Sequence, residues 1–262
     1  MYIRVHEGLG QPPDLLRDFE DEKRRFEMAK AEHEKRLAPI PLDILPLEVL
    51  KGASIRTTTL VGKKTASLIQ TVLERSRVLR PYIDRKLRRI MIPTGFVIYN
   101  SDPEFNNAYT KLHKLVIPTG STEEKGLINK RGFYHPPTDT IHLRPGATIG
   151  AAVHEAIHKY ASPGFRAVFG GFLDEGVTQY FTDLVLEEQG VAKGKTAYQN
   201  QMRCANELVR LFGHDRVAKA YFQHDQNLAR DVVRLLNINL GELHKLRKGD
   251  TLCKKLRGLR RK

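Results

Sequence analysis

The sequence predicts an α+β fold, and three observations carry that reading. Strand signals fall together in the first part of the central region, at 96–99, 115–117 and 132–144. Beyond Pro145 and Gly146 the pattern turns helical and stays so to residue 246. The order is strands first and helices after, not the alternation that builds a parallel sheet. The chain has 262 residues, 40% hydrophobic and 28% charged, which suits one large domain with extensions and a buried core.

Taken in order, residues 14–37 read as a helix, dense in Glu, Lys, Arg and Ala, with charges of both signs at helical spacing. Phe19, Phe26 and Leu37 give it only a thin apolar stripe. Pro39, Pro41 and Pro46 break any helix, so 38–47 reads as an extended linker. A helix at 62–79 carries Leu68, Ile69, Val72 and Leu73, and Pro81 marks its end. A short basic helix follows at 82–90. Residues 96–99 are a continuous apolar run closed by a turn at 100–103, a buried strand, and 115–117 is a weaker strand candidate. Residues 132–134 and 140–144 flank a five-residue loop and read as a β-hairpin. Helices are then expected at 148–161, 174–188, 196–212, 214–223, 226–236 and 241–246.

The net charge of +14 sits in two flanks. Residues 38–92 hold eleven basic and four acidic groups, and 245–262 hold nine and one, whereas 93–244 are balanced. This divides the chain into a basic N-terminal extension at 1–92, a core at 93–244 and a basic tail at 245–262. Such flanks suit nucleic acid, an anionic membrane, passage through an acidic channel, or plain solvation. No apolar run reaches the roughly 18 residues of a membrane span. The acidic first 25 residues exclude a Sec-type signal peptide, so a cytoplasmic site in the producing cell is expected. Two cysteines cannot make a disulfide framework and suit a reducing compartment. Cys204 reads as a core residue, and Cys253 as a tail residue without a partner.

The chemistry lies in His154-Glu155-Ala156-Ile157-His158, an H-E-x-x-H motif. On a helix, residues i and i+4 share a face, so both imidazoles reach one cation at about 2.0–2.1 Å. Glu155, one step round, can act on a water there without taking a coordination position. Thr148 is the candidate N-cap, and Ala151, Ala152, Val153, Ala156 and Ile157 mark a buried helix. A catalytic zinc needs a third protein ligand. Glu175 supplies one, 17 residues on, with Pro163, Gly164, Gly170 and Gly171 between to turn the chain back. Asp174 reads as a cap of that second helix. The other histidines form no second ligand set and read as surface or hairpin residues.

Together with Asp174, Glu175, Gly176, Tyr180 and Phe181, the motif resembles the gluzincins, zinc metallopeptidases whose third ligand is a Glu on a second helix. The resemblance covers about 148–186. It implies a zincin-like core, a Zn2+ cofactor, and an endopeptidase acting on a protein or peptide substrate. His154, His158 and Glu175 would be the ligands and Glu155 the general base. Gluzincins also use a Tyr or His to hold the oxyanion. Tyr198 is the first choice here, with Tyr221, His224 and His244 as alternatives. Thermolysin-like enzymes carry an Asp one turn after the third ligand. This chain has Gln179 there, leaving Thr178, Gln179 or Asp183 to orient an imidazole. Gly164 and Phe165 stand where a metzincin would need ligands. A substrate would add to the 140–144 strand as to a sheet edge, and 165–172 would form a wall, a lid, or only the turn between helices.

With the basic flanks, the chain also looks like metallopeptidase toxin modules carried by bacterial delivery systems. Two further readings stand beside it: a cytoplasmic protease acting on nucleic-acid-bound proteins, and a non-enzymatic basic binding module.

Overall fold

The computed structural model describes Arg24 and residues 62–86, 95–115, 117, 121–191 and 198–259. The helix expected at 14–37 and the linker at 38–47 lie outside these apart from Arg24, as do residues 87–90. The described residues form a small mixed sheet followed by a mostly helical region, as α+β implies.

Helix α1 (Gly62–Arg75) and the short α2 (Arg80–Ile83) precede strand β1 (Phe96–Ile98). The turn expected at 100–103 is instead the start of a helix, α3 (Asp102–Leu112). Ser101 caps it by accepting from Glu104 N, and Pro103 sits in the first turn, where its missing N–H costs nothing. Helix α4 (Thr122–Asn129) leads to the hairpin, β2 (Gly132–His135) and β3 (Thr140–Leu143), joined through a 3-10 turn at Pro136–Thr138. Neither Leu115 nor Ile117 is in a strand.

The sheet order is β1-β3-β2. β3 pairs parallel with β1 and antiparallel with β2. This corrects the expectation that residues 140–144 form a substrate-binding edge: both hydrogen-bonding sides of β3 are taken, and among the described residues the edges are β1 and β2. Alternate side chains go to opposite faces. Phe133 joins Phe105 and Leu127 beneath α3 and α4, whereas Phe96, Tyr134, Ile141 and Leu143 belong to the main core. His135 and His142 are hairpin residues as expected, but buried. The His142 ring lies flat on Phe133 at 4.4 Å, and burial pushes its pKa down to about 4.

That main core holds α5 (Ile149–Tyr160) and α6 (Pro163–Glu188). Helix α6 consists of two helical segments that meet at a kink, where Gly170 leaves helical geometry at φ 81°; the segment beyond it is close to the helix expected at 174–188, and the segment opening with Pro163 is additional. Phe165 and Phe169 are therefore buried helix residues, not a lid. Helices α7 (Gln199–Phe212), α8 (His214–Gln223), α9 (Asn227–Leu236) and α10 (Leu240–Leu246) follow close to the expected bounds.

Residues from both basic flanks pack into the main core. Ile69, Val72 and Leu73 of α1 are fully buried in the main core. Glu188 at the end of α6 accepts from Ser76 Oγ and Arg77 N, at 2.8 and 2.7 Å. In the basic C-terminal segment, α11 (Thr251–Gly258) buries Leu252, Cys253 and Leu256. Cys253 does have a partner: it forms a disulfide with Cys204 of α7, with Cα atoms 5.3 Å apart. The period of Leu252, Cys253 and Leu256 gives α11 one apolar face, and that face outweighs the repulsion of its exposed lysines. Among the described residues, no helix is long and apolar enough to cross a membrane.

Candidate metal centre

Thr148 caps α5 by accepting from Ala151 N at 3.2 Å. The helix is anchored to the hairpin by a buried ion pair. Lys159 Nζ lies 2.7 Å from Asp139 Oδ1, both side chains 3% exposed, and the Tyr134 hydroxyl donates to the same carboxylate at 2.7 Å. Asp139 takes a left-handed conformation, φ 49°, at the hairpin turn. These contacts hold α5 at a set angle to the sheet and leave the face bearing His154 and His158 toward α6.

Glu175 sits past the bend of α6. Its Oε2 lies 3.2 Å from His154 Nε2 and 3.4 Å from His158 Nε2. Two ligands at about 2.05 Å from a tetrahedral ion are about 3.4 Å apart, so both separations are those of a coordination edge. One donor atom from each of His154, His158 and Glu175 lies within 4.8 Å of the others. Among the described residues this is the one such group of three or more His, Cys, Asp or Glu. The set of two imidazoles and a carboxylate suits zinc or a similar divalent ion.

Electrostatics agree with a cation-binding cluster. Burial works against a charged His158, but Glu175, Asp174 and Glu155 outweigh it and push its pKa up to about 9. Burial likewise opposes ionisation of Glu175, yet the imidazoles of His158 and His154 hold it well below the usual carboxylate range.

Glu155 is buried on the same helix and points toward β2. A side-chain carbon added at Gly132 would fall 2.9 Å from Glu155 Cγ and 2.8 Å from Leu143 Cδ2, so only glycine lets the glutamate lie against the strand. Gly176 has a similar role on the other side. A Cβ there would come 2.6 Å from the carbonyl carbon of Gln201, so the glycine after the third ligand lets α7 cross in close contact with α6.

That crossing brings Tyr198, at the N-cap of α7, to the cluster. Its ring stacks on His154 at 5.1 Å with 4° between planes, and its hydroxyl hydrogen-bonds Glu175. Burial, then the charges of Glu175 and Glu155, push its pKa well above that of a free phenol.

The alternatives to Tyr198 lie elsewhere. Tyr221 is fully buried, with its hydroxyl 2.5 Å from Thr178 Oγ1. His224 Nδ1 pairs with Ser162 Oγ at 3.1 Å. His244 lies on α10, and neither histidine belongs to the cluster. Of the three candidates for orienting an imidazole, Thr178 is the one that meets a ligand ring, with Oγ1 3.3 Å from His158 Nδ1. Gln179 and Asp183 pair with each other instead, at 2.7 Å. Asp174 is not a cap. It lies inside α6, buried, with Oδ2 3.6 Å from His158 Nδ1 and 3.7 Å from Arg166 Nη1. The other imidazole is held differently: His154 Nδ1 is buried without a hydrogen-bond partner among the described residues.

Sequence reasoning did not reach Gly132 or the Tyr221 contact. Gly132 opens a strand next to the motif helix, which was the one available signal. Tyr221 lies 43 residues from Thr178 with no pattern linking them. No protein-family model, curated protein or solved structure matches the chain.

Proposed function

We propose that this protein is a zinc-dependent endopeptidase of the gluzincin type. One observation carries the reading: two imidazole Nε2 atoms one helical turn apart face the same carboxylate oxygen at tetrahedral-edge separations, with Glu155 buried beside them. A divalent ion bound by His154, His158 and Glu175 supplies Lewis acidity toward a carbonyl and lowers the pKa of water from about 15.7 toward 7.

The chain's own residues do the rest. Glu155 takes the proton of the attacking water and delivers it to the leaving amine. Tyr198 remains a protonated donor through the neutral range, because burial and two nearby carboxylates oppose its ionisation. That lets it donate to the oxyanion that forms on the carbonyl. An extended peptide would lie along the outer edge of β2, the strand in contact with Glu155, rather than along β3.

A purely structural zinc site is usually closed by four ligands and rich in cysteine. Here three ligands converge among the described residues, and both cysteines are joined to each other.

The test pairs metal analysis with proteolysis of a complex lysate, comparing the wild type with Glu155→Gln. Equal zinc content with cleavage lost is the expected outcome. A wild type that takes up no zinc, or a variant that cleaves as well as the wild type, would refute the assignment.

A further inference from the structure

Building on the metal-site reading above, we infer that Thr178 is a positioning residue, which with Tyr221 fixes His158 as its Nδ1–H tautomer and so reserves the Nε2 lone pair for the metal. The protons around one oxygen decide the tautomer. Thr178 Oγ1 has three close polar neighbours: the Asp174 carbonyl oxygen at 2.7 Å, the Tyr221 hydroxyl at 2.5 Å and His158 Nδ1 at 3.3 Å. A hydroxyl brings one proton and two lone pairs.

Two oxygens at 2.7 Å are at hydrogen-bond separation, with a proton between them. The Asp174 carbonyl has none to give, so the single Thr178 proton goes there. The Tyr221 contact needs a proton too, and only the phenol can supply it. Thr178 Oγ1 then has one acceptor position left. His158 Nδ1 meets it as a donor, because a bare nitrogen lone pair there would face an oxygen lone pair. The Asp174 carboxylate, 3.6 Å from the same nitrogen, also favours a proton on it.

The buried phenol makes the arrangement one-directional. Tyr221 is fully enclosed, with its backbone carbonyl held by Ser162 N and its ring packed edge-on against Phe165 at 5.0 Å. Its donation occupies the lone pair that would otherwise let the Thr178 hydroxyl reorient. His154 has no such support among the described residues. The two imidazoles are thus held unequally, His158 by a hydrogen-bonded tautomer lock and His154 by stacking on Tyr198.

The experiment uses the full chain. Zinc affinity is measured by competition with a chromophoric chelator for the wild type, Thr178→Ser, Thr178→Val/Tyr221→Phe and His158→Ala. The double variant removes both partners, so no buried phenol hydroxyl is orphaned and the fold is kept. Cobalt(II)-loaded samples are examined by proton NMR for the exchangeable imidazole N–H signals of the ligands. Zinc affinity should fall about 10–100-fold in the double variant, with one N–H signal lost through fast exchange. Thr178→Ser should restore both. If the double variant binds zinc like the wild type and keeps that signal, while His158→Ala loses the metal, the tautomer lock is overturned and the metal site stands. A wild type that binds neither zinc nor cobalt overturns both.

Discussion

Gly176→Ala tests whether the close crossing of α6 and α7 builds the active arrangement. An alanine Cβ at 176 would lie 2.6 Å from the Gln201 carbonyl carbon and 3.2 Å from its Cα. Carbon–carbon contacts settle near 3.5–4.0 Å, so α7 must recede by about 1 Å. Two stability effects oppose each other. Alanine gains about 1 kcal/mol of helix propensity over glycine, while overpacking against backbone costs about 1–3 kcal/mol. The net expectation is a loss of about 1 kcal/mol and a Tm lower by about 2–4 °C. Activity should suffer more than stability, because Tyr198 caps the helix that moves. A misplacement of about 1 Å at a reacting centre costs on the order of 100-fold. Zinc content should not change, since all three ligands lie on α5 and α6. Gly126→Ala is the control, a helical glycine of α4 with nothing within 4 Å of the added carbon. It should raise stability by about 0.5–1 kcal/mol and leave activity alone. The measurements are calorimetric Tm, zinc stoichiometry, and turnover of a peptide identified from the lysate digest. Wild-type turnover and Tm in Gly176→Ala would refute the argument that this contact sets the position of Tyr198.

Gly132→Ala should displace Glu155 and lower turnover by at least about tenfold with zinc binding intact, as steady-state kinetics and metal analysis on one preparation would show. Lys159→Met leaves the Asp139 carboxylate buried without its cation. Unfolding in urea should report a loss of about 3–5 kcal/mol. The metal-free protein should lose stability as pH rises. His158 is raised from 6.5 to about 9, so the stabilisation from its imidazolium is complete below about 6.5 and disappears as pH passes through 9. Zinc affinity should change in the opposite sense, strengthening by about tenfold per unit between those values as one proton is displaced. Titration calorimetry in buffers of different ionisation enthalpy would detect that proton, and a zinc affinity flat over this range would contradict the assignment.

Much of the site was legible because it is local. The H-E-x-x-H spacing and the helical period together place both imidazoles on one face, and Glu175 follows within the next helix. The hairpin was equally plain from its two short strands and proline-rich loop. What escaped depends on contacts between residues far apart in the chain. No periodicity tells that β1 would take the open side of β3, so the edge was assigned to the wrong strand. Helix α3 was missed because Asp102 and Pro103 read as a turn, although Ser101 and a first-turn proline also open helices. The helical segment before Gly170 was missed because Pro163, Gly164, Gly170 and Gly171 read together as one turn, whereas only Gly170 breaks the helical geometry. Both α1 and α11 lie in the basic flanks and yet bury apolar residues in the main core, contacts that net charge does not register.

The first and last of the three ligands are separated by 21 positions in the chain, whereas Tyr198 arrives on a later helix whose middle is tied by Cys204 to Cys253. Short loops close at small entropic cost and early. The metal-binding set is local in the sequence, whereas the helix that carries Tyr198 is pinned by a link 49 residues long. On the proposed chemistry, binding of the ion and placement of the oxyanion donor thus depend on different parts of the fold, and a change in the Cys204–Cys253 link can alter the second without touching the first.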